Sequence, residues 1–115
     1  MSHEQYRGII DSLYQCAIDC IHCENACLEE SNVKGLVKCI RLDRDCADAC
    51  LFTAKLLAGE TEFSDEITTI CGKICDACAE ECEKHASHMD HCRVCAESCR
   101  KCAQDCRSLA RVHVM

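Results

Sequence analysis

With 115 residues, the chain is long enough for one domain with its own hydrophobic core, and no shift in composition suggests a second domain. Its net charge of −7 argues against nucleic acid as a partner, because such binding needs lysine and arginine clustered on one face. No apolar run approaches the ~20 residues that span a membrane, and the N-terminus lacks the features of an export signal. We therefore expect a cytoplasmic protein of one domain without a membrane partner.

Cysteine is the unusual component of this composition. The chain has sixteen cysteines, while aromatic residues make up only 3% and tryptophan is absent, so cysteine replaces the usual core residues. Structural disulfides are rare in the reducing cytoplasm. The cysteine count therefore indicates metal ligation or redox chemistry.

Two helices are predicted in the first half of the chain, where proline is absent and glycine is rare. The first runs over about residues 5–30, and Ser2 with Gln5 forms a capping-box pattern at its start. The second runs over about residues 33–58, and Gly59 is expected to close it as a left-handed cap.

Two further helices are predicted in the second half. The third runs over about residues 65–84 after Ser64, its expected N-cap, and the fourth over about residues 88–111 after Ser87. Short connections make neighbouring helices antiparallel. We therefore predict an all-α fold, an antiparallel up-down-up-down four-helix bundle with a cysteine-lined core.

Each predicted helix carries one stripe of cysteines, because their spacings are almost all three or four residues and an α-helix turns ~100° per residue. Asp43 occupies the position between Cys39 and Cys46 at which this spacing would place a cysteine, so it is a candidate inward-facing carboxylate and ligand. The stripes contain Cys16, Cys20, Cys23 and Cys27; Cys39, Cys46 and Cys50; Cys71, Cys75, Cys78 and Cys82; and Cys92, Cys95, Cys99, Cys102 and Cys106.

Antiparallel packing gives the bundle two different ends. One end receives an apolar plug, formed by Ile9, Leu13, Leu57, Ile67 and Leu109. The other is a ligand-rich mouth, formed by Cys27, Cys39, Cys82 and Cys92 with Met89, His85, His88 and His91 nearby. The three mouth histidines are candidate ligands that capture metal, or they are solvated residues of a turn. The remaining histidines, His3, His22 and His113, are expected on the surface.

A second apolar stripe lies on the first helix, turned about 90° or more from the cysteines. Its members are Ile10, Tyr14, Ile21 and Leu28. The stripe indicates either self-association of the protein or packing against an adjacent helix of the same bundle.

Copper(I) is the ion that best fits these stripes. It is soft, thiolate ligands select it, and cysteines one helical turn apart can grip one ion. Charge supports the same choice, because one monovalent copper cancels one thiolate, whereas zinc held by four thiolates leaves two negative charges in the core. We expect several copper(I) ions per chain, with zinc as a substitute metal.

The cysteine pattern also admits alternatives to copper. The cysteines could be simple core residues, or they could form disulfides, although neighbours on one helix fit the disulfide dihedral poorly. Four C-x-x-C pairs, among them Cys20 to Cys23 and Cys75 to Cys78, also suit a zinc or iron–sulfur protein. An enzyme that uses thiol redox chemistry is a further alternative to a protein without catalytic activity.

The repeated units from Cys16-x-x-x-Cys20 through Cys102-x-x-x-Cys106, spread over four helices with a few histidines in a loop, resemble the cytosolic four-helix-bundle copper storage proteins. This resemblance covers nearly the whole chain. It implies a store of many copper(I) ions held by all sixteen cysteines along the axis, metal uptake at one end, and assembly as a homotetramer. Asp43 departs from an unbroken cysteine pattern and implies a lower capacity or mixed sulfur and oxygen ligation.

Overall fold

Four long helices build the protein in this computed structural model, which describes residues 3–114 and the side chains of residues 4–110. Short 3₁₀ segments, His3–Tyr6 and Val33–Leu36, lead into the first two helices. The described residues contain no strand, so the prediction of an all-α fold is confirmed. The helices are α1 (Arg7–Leu28), α2 (Val37–Ala58), α3 (Ser64–Glu83) and α4 (Asp90–Val114).

The helices follow one another around a ring. α1 packs on α2 and α4, and α3 packs on the same two neighbours, which is the arrangement of an up-down-up-down bundle with short connections. The molecule measures 46 × 22 × 18 Å, so its interior is long and narrow. Within the described part of the chain, no helix has the length and apolar character needed to cross a bilayer.

The start of α3 differs from the prediction that Ser64 is its N-cap. Phe63 holds that position, because its carbonyl accepts the bond from the Ile67 amide at 3.0 Å. The Phe63 amide in turn donates to Thr61 Oγ1 at 3.1 Å. Ser64 is therefore the first residue of the helix and is buried. The expected cap residue at the start of α1, Ser2, lies outside the described residues.

The end of α2 also differs from its prediction. Gly59 has a φ of −87°, so it is not the left-handed residue, and Glu60 takes that conformation with a φ of 58°. The amides of Glu60 and Thr61 donate to the carbonyls of Leu57 and Leu56 at 3.0 and 3.1 Å. These two bonds form a Schellman motif in which Gly59 is the C-cap residue and Glu60 is the left-handed residue after it.

The core has the two predicted ends. At the plug end Leu13 and Leu57 are fully buried, whereas Ile9, Ile67 and Leu109 are half-buried. The mouth end is more closed than the sequence suggested. Leu36 and Met89 are buried there, each one helical turn before a mouth cysteine.

The second apolar stripe of α1 remains largely uncovered. Ile10 is half-buried against the core, but Tyr14, Ile21 and Leu28 are 47%, 50% and 55% exposed. Ile18, which was not among the predicted members of this stripe, is 58% exposed on the same face. Packing inside the bundle therefore does not account for this face.

Two buried threonines near the plug end differ in their hydrogen bonds. Thr53 and Thr68 occupy the stripe positions next to Cys50 and Cys71, and both are fully buried. Thr68 Oγ1 donates to the Ser64 carbonyl at 2.7 Å. Thr53 Oγ1 has no hydrogen-bond partner among the described residues. A buried hydroxyl without a partner destabilises the folded state.

Replacing Thr53 by valine is therefore expected to stabilise the metal-free protein by about 1–2 kcal/mol, because the shape is kept and the unsatisfied hydroxyl is removed. The matched control is Thr68→Val, which removes a bond that is made and should destabilise the protein by about 0.5–1.5 kcal/mol. Anaerobic guanidinium unfolding in reductant measures both changes. Equal effects of the two substitutions would contradict this account.

Candidate metal centre

The sulfur atoms of all four helices converge on the bundle axis. All sixteen cysteines are free and buried, as expected when each stripe turns inward. Cys39 and Cys82 join α2 to α3 with a Sγ–Sγ distance of 3.6 Å, and Cys46 meets Cys99 of α4 across the bundle at 3.9 Å. These separations are well beyond the ~2.05 Å of a disulfide bond. The sulfurs therefore form an open array of thiols.

The spacing of the sulfurs suits metal binding with little movement. With a metal–sulfur bond of about 2.3 Å, two sulfurs on one ion lie about 4.0 Å apart in trigonal and about 3.8 Å apart in tetrahedral geometry. Cys16 lies 3.8 Å from Cys46 and 3.7 Å from Cys99. Cys50 lies 3.7 Å from Cys75. Contacts between different helices thus already have the distances that a shared ion requires.

Neighbouring ligand groups overlap. Sets of four donor atoms lie within 4.8 Å of one another, and Cys16, Cys20, Cys46 and Cys99 each belong to two of these sets. Sulfurs that belong to two sets can bridge two ions, so the array differs from a row of separate four-cysteine sites. The groups include Cys16, Cys46, Cys50 and Cys75; Cys16, Cys20, Cys46 and Cys99; Cys20, Cys78, Cys95 and Cys99; and Cys23, Cys27, Cys39 and Cys92.

Asp43 faces the interior, as its position in the α2 stripe predicts. Its side chain is 0% exposed. Its Oδ1 lies 3.3 Å from the sulfurs of both Cys78 and Cys95 and 3.6 Å from that of Cys82. Its Oδ2 lies 3.9 Å from Cys39 Sγ. The carboxyl group therefore contacts sulfurs of three helices and completes one group of candidate donors with Cys23, Cys39 and Cys82.

Two of the buried acidic groups keep their protons in the metal-free protein. Burial, followed by the nearby Cys95, Cys78 and Cys39, raises the pKa of Asp43 to about 11. Burial also raises the pKa of Cys27, to about 12. Both groups therefore keep their protons at neutral pH, and buried thiols pack as small apolar groups. Binding of a cation to these groups must release protons.

The three predicted mouth histidines occupy different environments. His91 contacts the array, since its Nδ1 lies 3.6 Å from the sulfurs of Cys23 and Cys92 and 3.8 Å from that of Cys27. Its Nε2 lies 3.3 Å from Glu30 Oε1. Glu30 was not predicted as a site residue, because a carboxylate at the end of a predicted helix has no distinguishing spacing.

His85 and His88 have partners other than cysteine sulfur. His85 Nε2 lies 3.3 Å from Oε2 of Glu81, a buried carboxylate that also contacts Lys84 at 3.1 Å. His88 is exposed, with its Nδ1 3.3 Å from Ser87 Oγ. Among the described residues, the structure brings only His91 of this group into contact with cysteine sulfur. Of the other histidines, His22 is exposed, and the side chains of His3 and His113 lie outside the described part.

The pKa of Asp43 predicts how the stability of the metal-free protein depends on pH. In the folded state Asp43 keeps a proton that it releases in the unfolded state, where its pKa is ~3.9. The stability that this proton gives the folded state is complete below that pH and is lost as pH rises toward about 11. The free energy of unfolding should therefore fall by about 2–3 kcal/mol between about pH 5.5 and 7.5 because of this group.

Asp43→Asn should remove that part of the pH dependence, whereas Asp45→Asn, at an exposed position of the same helix, should leave it in place. Anaerobic denaturant unfolding at the two pH values measures the difference. The assignment is wrong if the Asp43→Asn protein loses stability with pH as steeply as the unsubstituted protein does.

Comparison with known proteins identifies the family. A family model described as copper storage protein, Csp, matches residues 2–111. The chain is also similar to the uncharacterized cysteine-rich protein YhjQ of Bacillus subtilis strain 168. The two are 46% identical over 75 residues, which is 64% of this chain and 69% of that protein.

Solved structures of copper storage proteins share the fold. The Cu(I)-bound copper storage protein BsCsp3 matches with a TM-score of 0.87 and 44% identity, over 91% of this chain and 97% of its own. A cytosolic copper storage protein from Streptomyces lividans with five coppers matches with a TM-score of 0.91 and 42% identity, over 95% and 94% of the two chains. Because the family model spans nearly the whole sequence and both relatives exceed 40% identity, this chain belongs to the copper storage protein family.

Proposed function

We propose that this protein stores copper(I), with many ions per chain held by the sixteen inward-facing cysteines. The observation that carries the proposal is the overlap of the four-donor groups, because several sulfurs each belong to two groups. An array of this kind can hold ions at short intervals along the axis through bridging thiolates. The Cu(I)-bound and copper-loaded relatives support the same conclusion.

The balance of charge favours copper(I) over zinc. Each monovalent ion that enters displaces one thiol proton and leaves the net charge of the core unchanged. Zinc bound by four thiolates leaves two negative charges, which are costly in a core where the described residues place no buried lysine or arginine. Zinc is therefore a substitute that occupies few sites, and zinc or an iron–sulfur cluster is the alternative that a titration must exclude.

The candidate ligands other than cysteine have separate roles in this proposal. Asp43 supplies an oxygen ligand among sulfurs at one level of the array, and its contacts with Cys78 and Cys95 support this role. His91 is a ligand at the mouth, where Cys27 and Cys92 end their stripes. His85 and His88 are rim residues that first meet incoming metal.

The protein acts as a store and has no catalytic activity in this proposal, because its donor atoms are buried and packed against one another along the axis. The chain forms one domain and works in the cytoplasm, where thiols stay reduced. The Streptomyces lividans relative is described as cytosolic, which supports this location.

Copies of the chain assemble through the exposed face of α1, with a homotetramer as the favoured state. The face formed by Tyr14, Ile18, Ile21 and Leu28 offers four large apolar side chains that are about half exposed. Apolar patches of this kind mark protein interfaces, and a second copy of the same face is the natural occupant.

Anaerobic titration of the reduced protein with copper(I) tests the storage function. If each ion were bound by two sulfurs that it shared with no other ion, sixteen cysteines would hold at most eight ions. Bridging thiolates should therefore carry saturation past about eight ions per chain. An endpoint of one or two ions would contradict storage. A visible chromophore after iron and sulfide are added to metal-free protein would instead support a cluster.

The oligomer is tested by Ile21→Glu, which places a charge in the apolar face of α1. We expect the unsubstituted protein to sediment as a tetramer and the variant to sediment as a smaller species, with the same copper capacity per chain. The control is Gln104→Glu, which adds the same charge at an exposed position of α4. A tetramer that persists in the Ile21→Glu variant would show that another face holds it together.

A further inference from the structure

One histidine, His91, lies at the mouth of the array and contacts sulfurs through one ring nitrogen and a carboxylate through the other. His91 lies in the first turn of α4 and its side chain is 13% exposed. Its Nδ1 is 3.6–3.8 Å from the sulfurs of Cys23, Cys27 and Cys92. Its Nε2 is 3.3 Å from the carboxylate of Glu30, in the connection between α1 and α2. The imidazole therefore spans the distance from solvent-facing carboxylate to buried sulfur.

The carboxylate decides which nitrogen carries the proton. A neutral imidazole has one N–H donor and one acceptor nitrogen, and an ionised carboxylate can only accept. When the imidazole is neutral and the carboxylate ionised, Nε2 is therefore the nitrogen that carries the hydrogen donated to Glu30. The lone pair is left on Nδ1, the nitrogen that faces three sulfurs. Carboxylate groups orient metal-binding histidines in this way in many proteins.

We propose that Glu30 is a positioning residue that holds His91 in the tautomer and orientation needed to form a mixed site of one nitrogen and three sulfurs at the mouth. The proposal rests on the copper storage function. It makes the outermost site, with its imidazole ligand, chemically different from the sites deeper in the bundle, where the donors are sulfurs and the Asp43 carboxylate. Imidazole is a less soft ligand than thiolate, so this site passes ions inward more readily than it keeps them.

His85 shows why proximity of a carboxylate to a histidine is insufficient. Its Nε2 also lies 3.3 Å from a carboxylate oxygen, that of Glu81. Glu81 contacts Lys84 at 3.1 Å and Lys38 at 3.8 Å, so this buried carboxylate is part of an ion-pair cluster with two exposed lysines. In the described residues no cysteine sulfur contacts His85. Glu30 and His91 are thus the carboxylate–histidine pair that connects a partly exposed group to the sulfur array.

The tautomer of His91 in metal-free protein is the first test. Two-bond ¹H–¹⁵N correlation spectra should show the Nε2–H form in the unsubstituted protein. Glu30→Ala should give a mixture of tautomers, while Glu30→Gln, which keeps an acceptor oxygen, should retain most of the Nε2–H form. The control Glu29→Ala removes an exposed carboxylate one residue away and should change nothing. An unchanged His91 tautomer in Glu30→Ala would overturn the proposal.

Uptake kinetics provide the second test, with copper(I) supplied from a weak chelator. Glu30→Ala should slow loading about tenfold, the lower end of the range for such supporting residues, because Glu30 is 38% exposed. His91→Ala should slow it at least as much, with total capacity nearly unchanged in both. The double variant should load no more slowly than His91→Ala, because Glu30 acts through His91. Independent, multiplicative effects would overturn the positioning role.

The two tests separate this proposal from the storage function. If the unsubstituted protein saturates at one or two ions, storage is wrong. The spectra of the metal-free protein still decide whether Glu30 sets the tautomer of His91. If capacity is high but Glu30→Ala changes neither tautomer nor loading rate, storage stands and the positioning role of Glu30 is wrong.

Discussion

The contact between sulfur atoms of different helices is the constraint on which the rest of the structure depends. A side chain of ordinary core size would hold the four helices too far apart for one ion to bridge them. Cysteine is small, and stripes of it bring Cys39 within 3.6 Å of Cys82 and Cys46 within 3.7 Å of Cys75. The same packing that closes the apolar core thus creates distances suited to metal binding. Folding and site formation are one event.

Protonation reconciles a stable metal-free bundle with a core full of metal ligands. Thiols that keep their protons behave as apolar side chains, so the bundle can close before any ion is bound. Asp43 is the exception, because its carboxyl group keeps a proton at pH values well above the usual pKa of an aspartate. The protein tolerates this cost in stability at a position in contact with sulfurs of three helices. Copper(I) then replaces protons charge for charge.

Periodic features of the structure could be predicted from the sequence, and single contacts could not. The spacing of three and four residues predicted the four stripes and the inward position of Asp43, because helix geometry alone determines which side chains share a face. The pairing of His91 with Glu30 depends on how the start of α4 meets the connection between α1 and α2, which no local pattern encodes. The same limit explains Glu60, whose left-handed conformation follows from where α2 ends rather than from its residue type.

Copper K-edge X-ray absorption of the fully loaded protein tests the central claim most directly. Shared sulfurs predict a first shell made almost entirely of sulfur at about 2.3 Å and, because one thiolate bridges two ions, a clear copper–copper scattering component. A first shell dominated by nitrogen or oxygen, or a sulfur shell without any copper–copper component, would contradict a continuous array of bridging thiolates.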